Sequence, residues 1–462
     1  MRATIALASL LFTASAAIAA DAPPPDEPAG LAEIADPVDP AELHATIEKL
    51  VSFGTRHTLS DTKSAKRGIG AARRWVQSRF EQFSKDCGGC LEIVTPSQSV
   101  TGKRIPQPVD VTDVVAIQRG TSDPDRVIVI TGHIDSRVID VMDAKKDAPG
   151  ANDDGSGTAA VIEAARVLSR HKFAATLVFA VVSGEEQGLY GGKVIADYAK
   201  AHNWRVEADL NNDIVGNTQG QDGVGDNTSV RVFSEGTKSS ETLDQAKYRR
   251  YHGGEVDSPS RNTARYIAAI ADRYMTNFRV RLVYRTDRYG RGGDQVPFLE
   301  AGYPAVRFTE ANENYTRQHQ DVRTEKGIRY GDTIDGVDFP YLAQVTRLNV
   351  LTMASMANAP APPLGVEIDG AVSTDTTIKW QATPGAAGYR VWWRDTTAPQ
   401  WQHSRYAGNA TTATLKNVVV DDAFFGVSAV SAEGYASPVV FPGDAGRFDD
   451  TQKKPKEATK TQ

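Results

Sequence analysis

Cysteine is nearly absent: 462 residues carry two, Cys87 and Cys90, within "DCGGC". A thioredoxin-like site needs a strand-to-helix setting, and a cysteine zinc site needs further ligands of matching type; neither surrounds this pair. A small local disulfide is the reading for an exported chain, with two free thiols as the alternative. A basic field is missing too. Lys and Arg number 52 against 58 Asp and Glu, a formal net charge of −6 with the signs mixed along the chain. That argues against a nucleic-acid partner. Beyond the first twenty residues no apolar run is long enough to span a membrane, and no internal repeat is visible.

What is present is a soluble, globular bulk, 40% hydrophobic and 24% charged, too long for one ordinary core. "MRATIALASLLFTASAAIAA" carries Arg2, an apolar stretch and a small-residue end, Ala17, Ile18 and Ala19. This is the pattern of a secretory signal peptide over residues 1–19, and it implies export to the periplasm or the outside, with no membrane span after cleavage. A Pro-rich leader, expected to be flexible, covers 20–38. Leu43, Ile47, Leu50 and Val51 then recur at helical spacing, with Asp39 as the candidate N-cap.

Over residues 39–358 apolar β-branched runs ("VTDVVAI", "RVIVITG", "ATLVFAVV", "RVRLVY", "YPAVRF") alternate with helical stretches. That alternation predicts an α/β domain with a mostly parallel central sheet covered on both faces. A Pro/Ala linker at 359–364 ends this pattern. Short alternating strands over 365–445 predict a small all-β sandwich, and a polar tail, expected to be disordered, covers 446–462. "LVSFGTRHTLSD", with Arg56 and His57, reads as an ordinary loop.

The chemistry-bearing residues cluster at the carboxyl ends of the apolar runs, where such sheets collect their sites. "GHIDS" gives His133 and Asp135. "PGANDDGSG" gives Asp153 and Asp154. "SGEEQG" gives Glu185 and Glu186, "NNDIVGN" gives Asp213, and "RQHQD" gives His319. Each alone suits a turn, a helix cap or a structural histidine. Together they form a thiolate-free set of imidazoles and carboxylates, which suits a catalytic pair of zinc ions. Two such ions can share a hydroxide and polarise a substrate carbonyl. The two adjacent glutamates, read as extended chain, point in opposite directions and suggest two separate tasks.

The ordered set "GHIDS … PGANDDGSG … SGEEQG … NNDIVGN … His" resembles the M28 family of zinc peptidases, the co-catalytic aminopeptidases, over roughly residues 110–355. The resemblance implies a phosphorylase/hydrolase-like three-layer fold, two Zn2+ per chain and peptide substrates cut at the N-terminus. It implies His133, Asp153, Glu186, Asp213 and His319 as metal ligands, with Asp153 bridging. Asp135 would fix the tautomer of the His133 imidazole. Asp154 would cap the following helix, and Glu185 would serve as general base. Two departures stand out. His319 lies well upstream of "GDT", and "GGDQVPF" carries Gln295 where the family has His, leaving Asp294 as a candidate substrate-pocket residue. The C-terminal segment resembles a fibronectin type III domain, with Trp380, Tyr389, Leu415, Phe425 and Val427 as core. Surface or polymer contact is the partner class it suggests. A glutaminyl cyclase, which shares the fold with one zinc, a carboxypeptidase-type relative and a metal-free binding ectodomain are the competing functions.

Overall fold

The computed structural model describes residues 23–448. The expected signal peptide, residues 1–19, and residues 449–462 of the expected tail lie outside the described residues. An eight-stranded mixed sheet forms the middle layer. Its strands run in the order Glu92–Val94, Val114–Gln118, Ala175–Val182, Asp123–His133, Arg205–Asn212, Ala305–Glu310, Ser229–Phe233 and Arg279–Val283. The four central strands, from Ala175–Val182 to Ala305–Glu310, are parallel neighbours. Antiparallel pairs flank them on either side.

Strand alternation sends side chains to two cores. Ile128, Ile130, Leu177, Phe179 and Leu210 pack on one face, with Leu43 and Ile47 of the helix Pro40–Val51, Val76 and Phe80 of Ile69–Asp86, and residues of Gly155–Leu168 and Phe339–Asn358. Val127, Val129, Val178, Ala180 and Val182 face the other way, against Ile195 of the helix Tyr190–Ala201 and Phe298 of Gln295–Glu300. These central residues are fully buried. Each large apolar side chain so removed from water contributes about 1.5–3 kcal/mol, which fixes the register of the strands that carry the site.

The carboxyl-terminal part forms two three-stranded antiparallel sheets, Glu367–Asp369 with Thr376–Lys379 and Thr412–Leu415, and His403–Gly408 with Gly388–Asp395 and Ala423–Val430. They share one core, which contains Trp380, Tyr389, Leu415, Phe425 and Val427. This unit is tied to the larger one through buried charge. Asp257 accepts from Arg265 Nη1 at 2.7 Å and from Arg394 Nη2 at 2.8 and 2.9 Å, and all three residues are buried.

Two segments differ from expectation. The leader is not flexible throughout: Leu31–Ile34 is helical, and Leu31, Ala35 and Val38 enter the main core, because these apolar residues punctuate an otherwise polar run. The tail begins later than residue 446, since Phe448 packs into the sandwich core. The linker is held in place, with Arg126 donating to the carbonyls of Met356 and Ala359 at 2.9 and 2.6 Å and pairing with Glu207 at 2.9 Å. Cys87 and Cys90 are joined as a disulfide beyond the helix Ile69–Asp86. Among the described residues no helix is long and apolar enough to cross a membrane.

Candidate metal centre

The four central parallel strands end side by side, and the polar clusters emerge from those ends. His133 is the last residue of Asp123–His133, and Asp213 follows Arg205–Asn212 directly. Glu185 and Glu186 follow Ala175–Val182 after a two-residue turn, and the loop after Ala305–Glu310 reaches His319. Asp153 comes from the turn before the helix Gly155–Leu168.

Two groups of donor atoms result: His133, Glu185 and Asp213, and Asp153, Glu186 and His319. Asp153 stands between them. Its Oδ1 lies 3.3 Å from His133 Nε2 and its Oδ2 lies 2.9 Å from His319 Nε2. His133 Nε2 is also 3.9 Å from Asp213 Oδ1, and His319 Nε2 is 3.0 Å from Glu186 Oε1. Three atoms of this constellation, His133 Nε2, Asp153 Oδ2 and Glu186 Oε1, are buried without a hydrogen bond. Orphaned buried polar atoms are costly, so three converging ones point to a cation as their common partner. Imidazole and carboxylate, with no thiolate, fit zinc.

The charges strain against one another. Burial alone would raise the Asp153 carboxyl, but His319 and His133 hold it well below its usual range. Burial opposes the charge on His319, yet Glu186 and Asp153 outweigh it and push the imidazole up to about 10. Loss of solvent and the nearby Glu186 push Glu185 well above its ordinary value.

The paired glutamates correct one expectation. They do not lie on extended chain but open a single helical turn, Glu185–Gly188. On a helix, successive side chains diverge by about 100°, which is enough to send Glu185 to one group and Glu186 to the other. Asp135 holds that turn. Its carboxylate accepts from the backbone N–H of Glu185 at 3.3 Å and of Glu186 at 3.1 Å, and from the Thr58 hydroxyl at 3.0 Å. His133 Nδ1 lies closer to the Asp135 carbonyl, at 3.0 Å, than to its carboxylate, at 3.5 Å. Either acceptor would fix the tautomer.

Asp154 accepts from the N–H of Gly157 at 2.8 Å and of His133 at 2.9 Å, joining the helix N-terminus to the strand end. Asp294 is fully buried, accepting from Gly192 N–H at 3.1 Å; its other oxygen has no hydrogen bond. Burial raises its carboxyl to about 7. Gln295 turns away, donating to Asp287 at 2.7 Å.

Several residues that build the site are not evident from the motifs. Arg56 is no ordinary loop residue: it is buried, and donates to the carbonyls of Ile134, Pro149 and Gly150 at 2.7, 2.6 and 2.7 Å. Gly150 has φ +52°, and a Cβ there would stand 2.5 Å from Ser136 Cβ and 2.9 Å from Arg56 Nη2. Asp332, the Asp of "GDT", accepts from the N–H groups of Asn152 and Asp153, at 2.9 and 2.7 Å. Arg307 pairs with Asp213 at 2.8 Å, and Arg137 with Glu186 at 2.7 Å. A charge inside an otherwise apolar run, "YPAVRF", is the sequence signal for Arg307; Arg137, directly after "GHIDS", has no signal of its own.

The profile of peptidase family M28 matches residues 113–331. A protein of Pyrenophora tritici-repentis described as "Probable zinc metalloprotease" is 45% identical over 427 residues, covering 91% of this chain and 87% of that protein. One of Pyricularia oryzae with the same description is 44% identical over 436 residues, covering 92% and 86%. Among solved structures, LapB from Legionella pneumophila matches with a TM-score of 0.52 at 19% identity, covering 72% of this chain and 77% of that one. These last figures express a likeness of fold.

Proposed function

The chain belongs to peptidase family M28, and from that premise we propose that it is an exported zinc metalloprotease acting as an aminopeptidase on peptides. The carrying observation is the pair of donor groups meeting at Asp153, with His133 Nε2, Asp153 Oδ2 and Glu186 Oε1 buried without a hydrogen bond. The zinc-metalloprotease relatives support the metal. Under this reading His133 and Asp213 would hold one zinc, Glu186 and His319 the other, with Asp153 shared between them. When bound, the ions would supply Lewis acidity to the scissile carbonyl and the attacking water.

The protein's own groups do the rest. Glu185, partly exposed on its helical turn, takes the proton of the attacking water and delivers it to the leaving amine. Asp135 keeps Glu185 and Glu186 at their stations by capping that turn. The N-terminal preference rests on the family resemblance. The export reading rests on the first 19 residues and is supported by the Cys87–Cys90 disulfide, a bond of oxidising compartments. The C-terminal sheets are read as a fibronectin type III-like module offering a surface or polymer contact.

Metal analysis by mass spectrometry, run with peptide assays on the purified protein and Glu185→Gln, tests the proposal. Two zinc ions per chain and release of N-terminal residues, blocked by N-acetylation, are expected. Glu185→Gln should keep both ions and lose about 10²–10⁴-fold in kcat. One ion, with cyclisation of N-terminal glutamine instead of hydrolysis, would make the protein a cyclase. Release from the carboxyl terminus would make it a carboxypeptidase.

A further inference from the structure

With Glu185 set aside as the base, each donor group contains one carboxylate that does not bridge, Asp213 in one and Glu186 in the other. Each of these two carboxylates is held by an arginine through one oxygen only. Arg307 Nη1 contacts Asp213 Oδ2 at 2.8 Å, leaving Oδ1 toward His133 Nε2. Arg137 Nε contacts Glu186 Oε2 at 2.7 Å, leaving Oε1 toward His319 Nε2. The same division of oxygens occurs twice, on unrelated segments.

The two arginines differ in their surroundings. Arg307 is fully buried and shares a second acid, Asp287, at 3.3 Å, as well as the Gly292 carbonyl at 2.8 Å. Arg137 sits in a loop, its side chain 16% exposed. Its remaining contacts are the Val138 carbonyl at 3.2 Å and His319 Nδ1 at 2.5 Å. Its charge therefore stands beside two donors of the second group with Glu186 as its one acid among the described residues.

We infer that Arg137 is a positioning residue that holds Glu186 as a one-oxygen donor and so sets the affinity of the second metal position. This rests on the two-zinc reading above. The contact to Glu186 Oε2 is the one that persists on ligation. The contact to His319 Nδ1 is given up, because a neutral imidazole ligating through Nε2 carries its proton on Nδ1. Charge and geometry act here with opposite signs. A guanidinium beside the ligands repels a cation, whereas a fixed carboxylate spares the ion the cost of ordering its own donor. The positioning role requires the second effect to dominate.

That opposition supplies the test. Zinc chloride is titrated by calorimetry into the full chain stripped with a chelator, for the unsubstituted protein, Arg137→Met and Arg137→Lys. Two binding events are expected without substitution. In Arg137→Met the first should keep its affinity and the second should weaken by about 10–100-fold. Arg137→Lys, which keeps the charge and one donor, should fall between. A second ion bound equally well or more tightly by Arg137→Met shows that charge governs and overturns the proposal. Loss of both ions from a folded Arg137→Met also overturns it. If the Met variant does not fold, the Lys variant decides by the same sign. Fewer than two binding events in the unsubstituted protein would instead overturn the two-zinc reading, and this inference with it.

Discussion

Glu313 shows how a single buried charge is set by its neighbours. Its side chain is 2% exposed and lies 2.7 Å from Arg231, 3.2 Å from Arg288 and 3.0 Å from Arg291. Burial alone would raise its carboxyl, but Arg288 and Arg231 prevail and bring it from 4.5 down to about 2. A depressed carboxylate contributes stability above its unfolded value and loses it as the pH falls through the folded one. Glu313→Gln should therefore cost roughly 3 kcal/mol at neutral pH. The deficit should shrink as pH falls from about 4.5 toward 2. Urea unfolding of both proteins across that range, with chelator present throughout, measures it; a constant deficit would contradict the assignment. The residues that sequence exposes are those whose chemistry is rare in their setting, such as His133 at the end of an apolar run. Arg56, Arg137 and Arg307 were hidden because an arginine in a loop or strand looks alike whether it faces water or three carbonyls.

At the scale of elements, the apolar runs and their spacing marked five of the eight sheet strands and the helix Pro40–Val51, with further helical stretches between the strands. The hairpin Ser97–Gly102 with Ile105–Thr112 and the helix Leu243–His252 escaped notice. The hairpin strands alternate with little buried surface, and the helix buries no residue at all, so neither has a strong apolar period to show. The "SGEEQG" turn was misjudged for another reason: four residues are too few to display any period. The junction at Asp154 carries a clear expectation. Removing it costs the helix cap, about 0.5–2 kcal/mol, and leaves the buried His133 N–H unpaired, about 1–3 kcal/mol. Asp154→Ala should thus lose about 3 kcal/mol in denaturant unfolding. Asp154→Asn, which keeps one accepting oxygen, should lose less.

Across the whole molecule, the large α/β unit and the small sheets share Asp257, whose carboxylate is divided between Arg265 of one and Arg394 of the other. Breaking a buried pair costs about 3–5 kcal/mol. Arg394→Ala should lower the unfolding temperature of both units together, as one calorimetric transition; two separated transitions would show that the units are independent. The change from alternating strands and helices to short strands alone was legible in the sequence pattern. The mutual dependence of the two units was not, because it rests on charges far apart in sequence.

The distance along the chain between His133 and His319 has a consequence for the cell that makes this protein. No fragment emerging from the ribosome holds both donor groups until His319 has been made, and Asp257 waits for Arg394 later still. Under the peptidase reading, the power to cut arrives only after both donor groups have been made, so the order of synthesis shields the producing cell from its own enzyme.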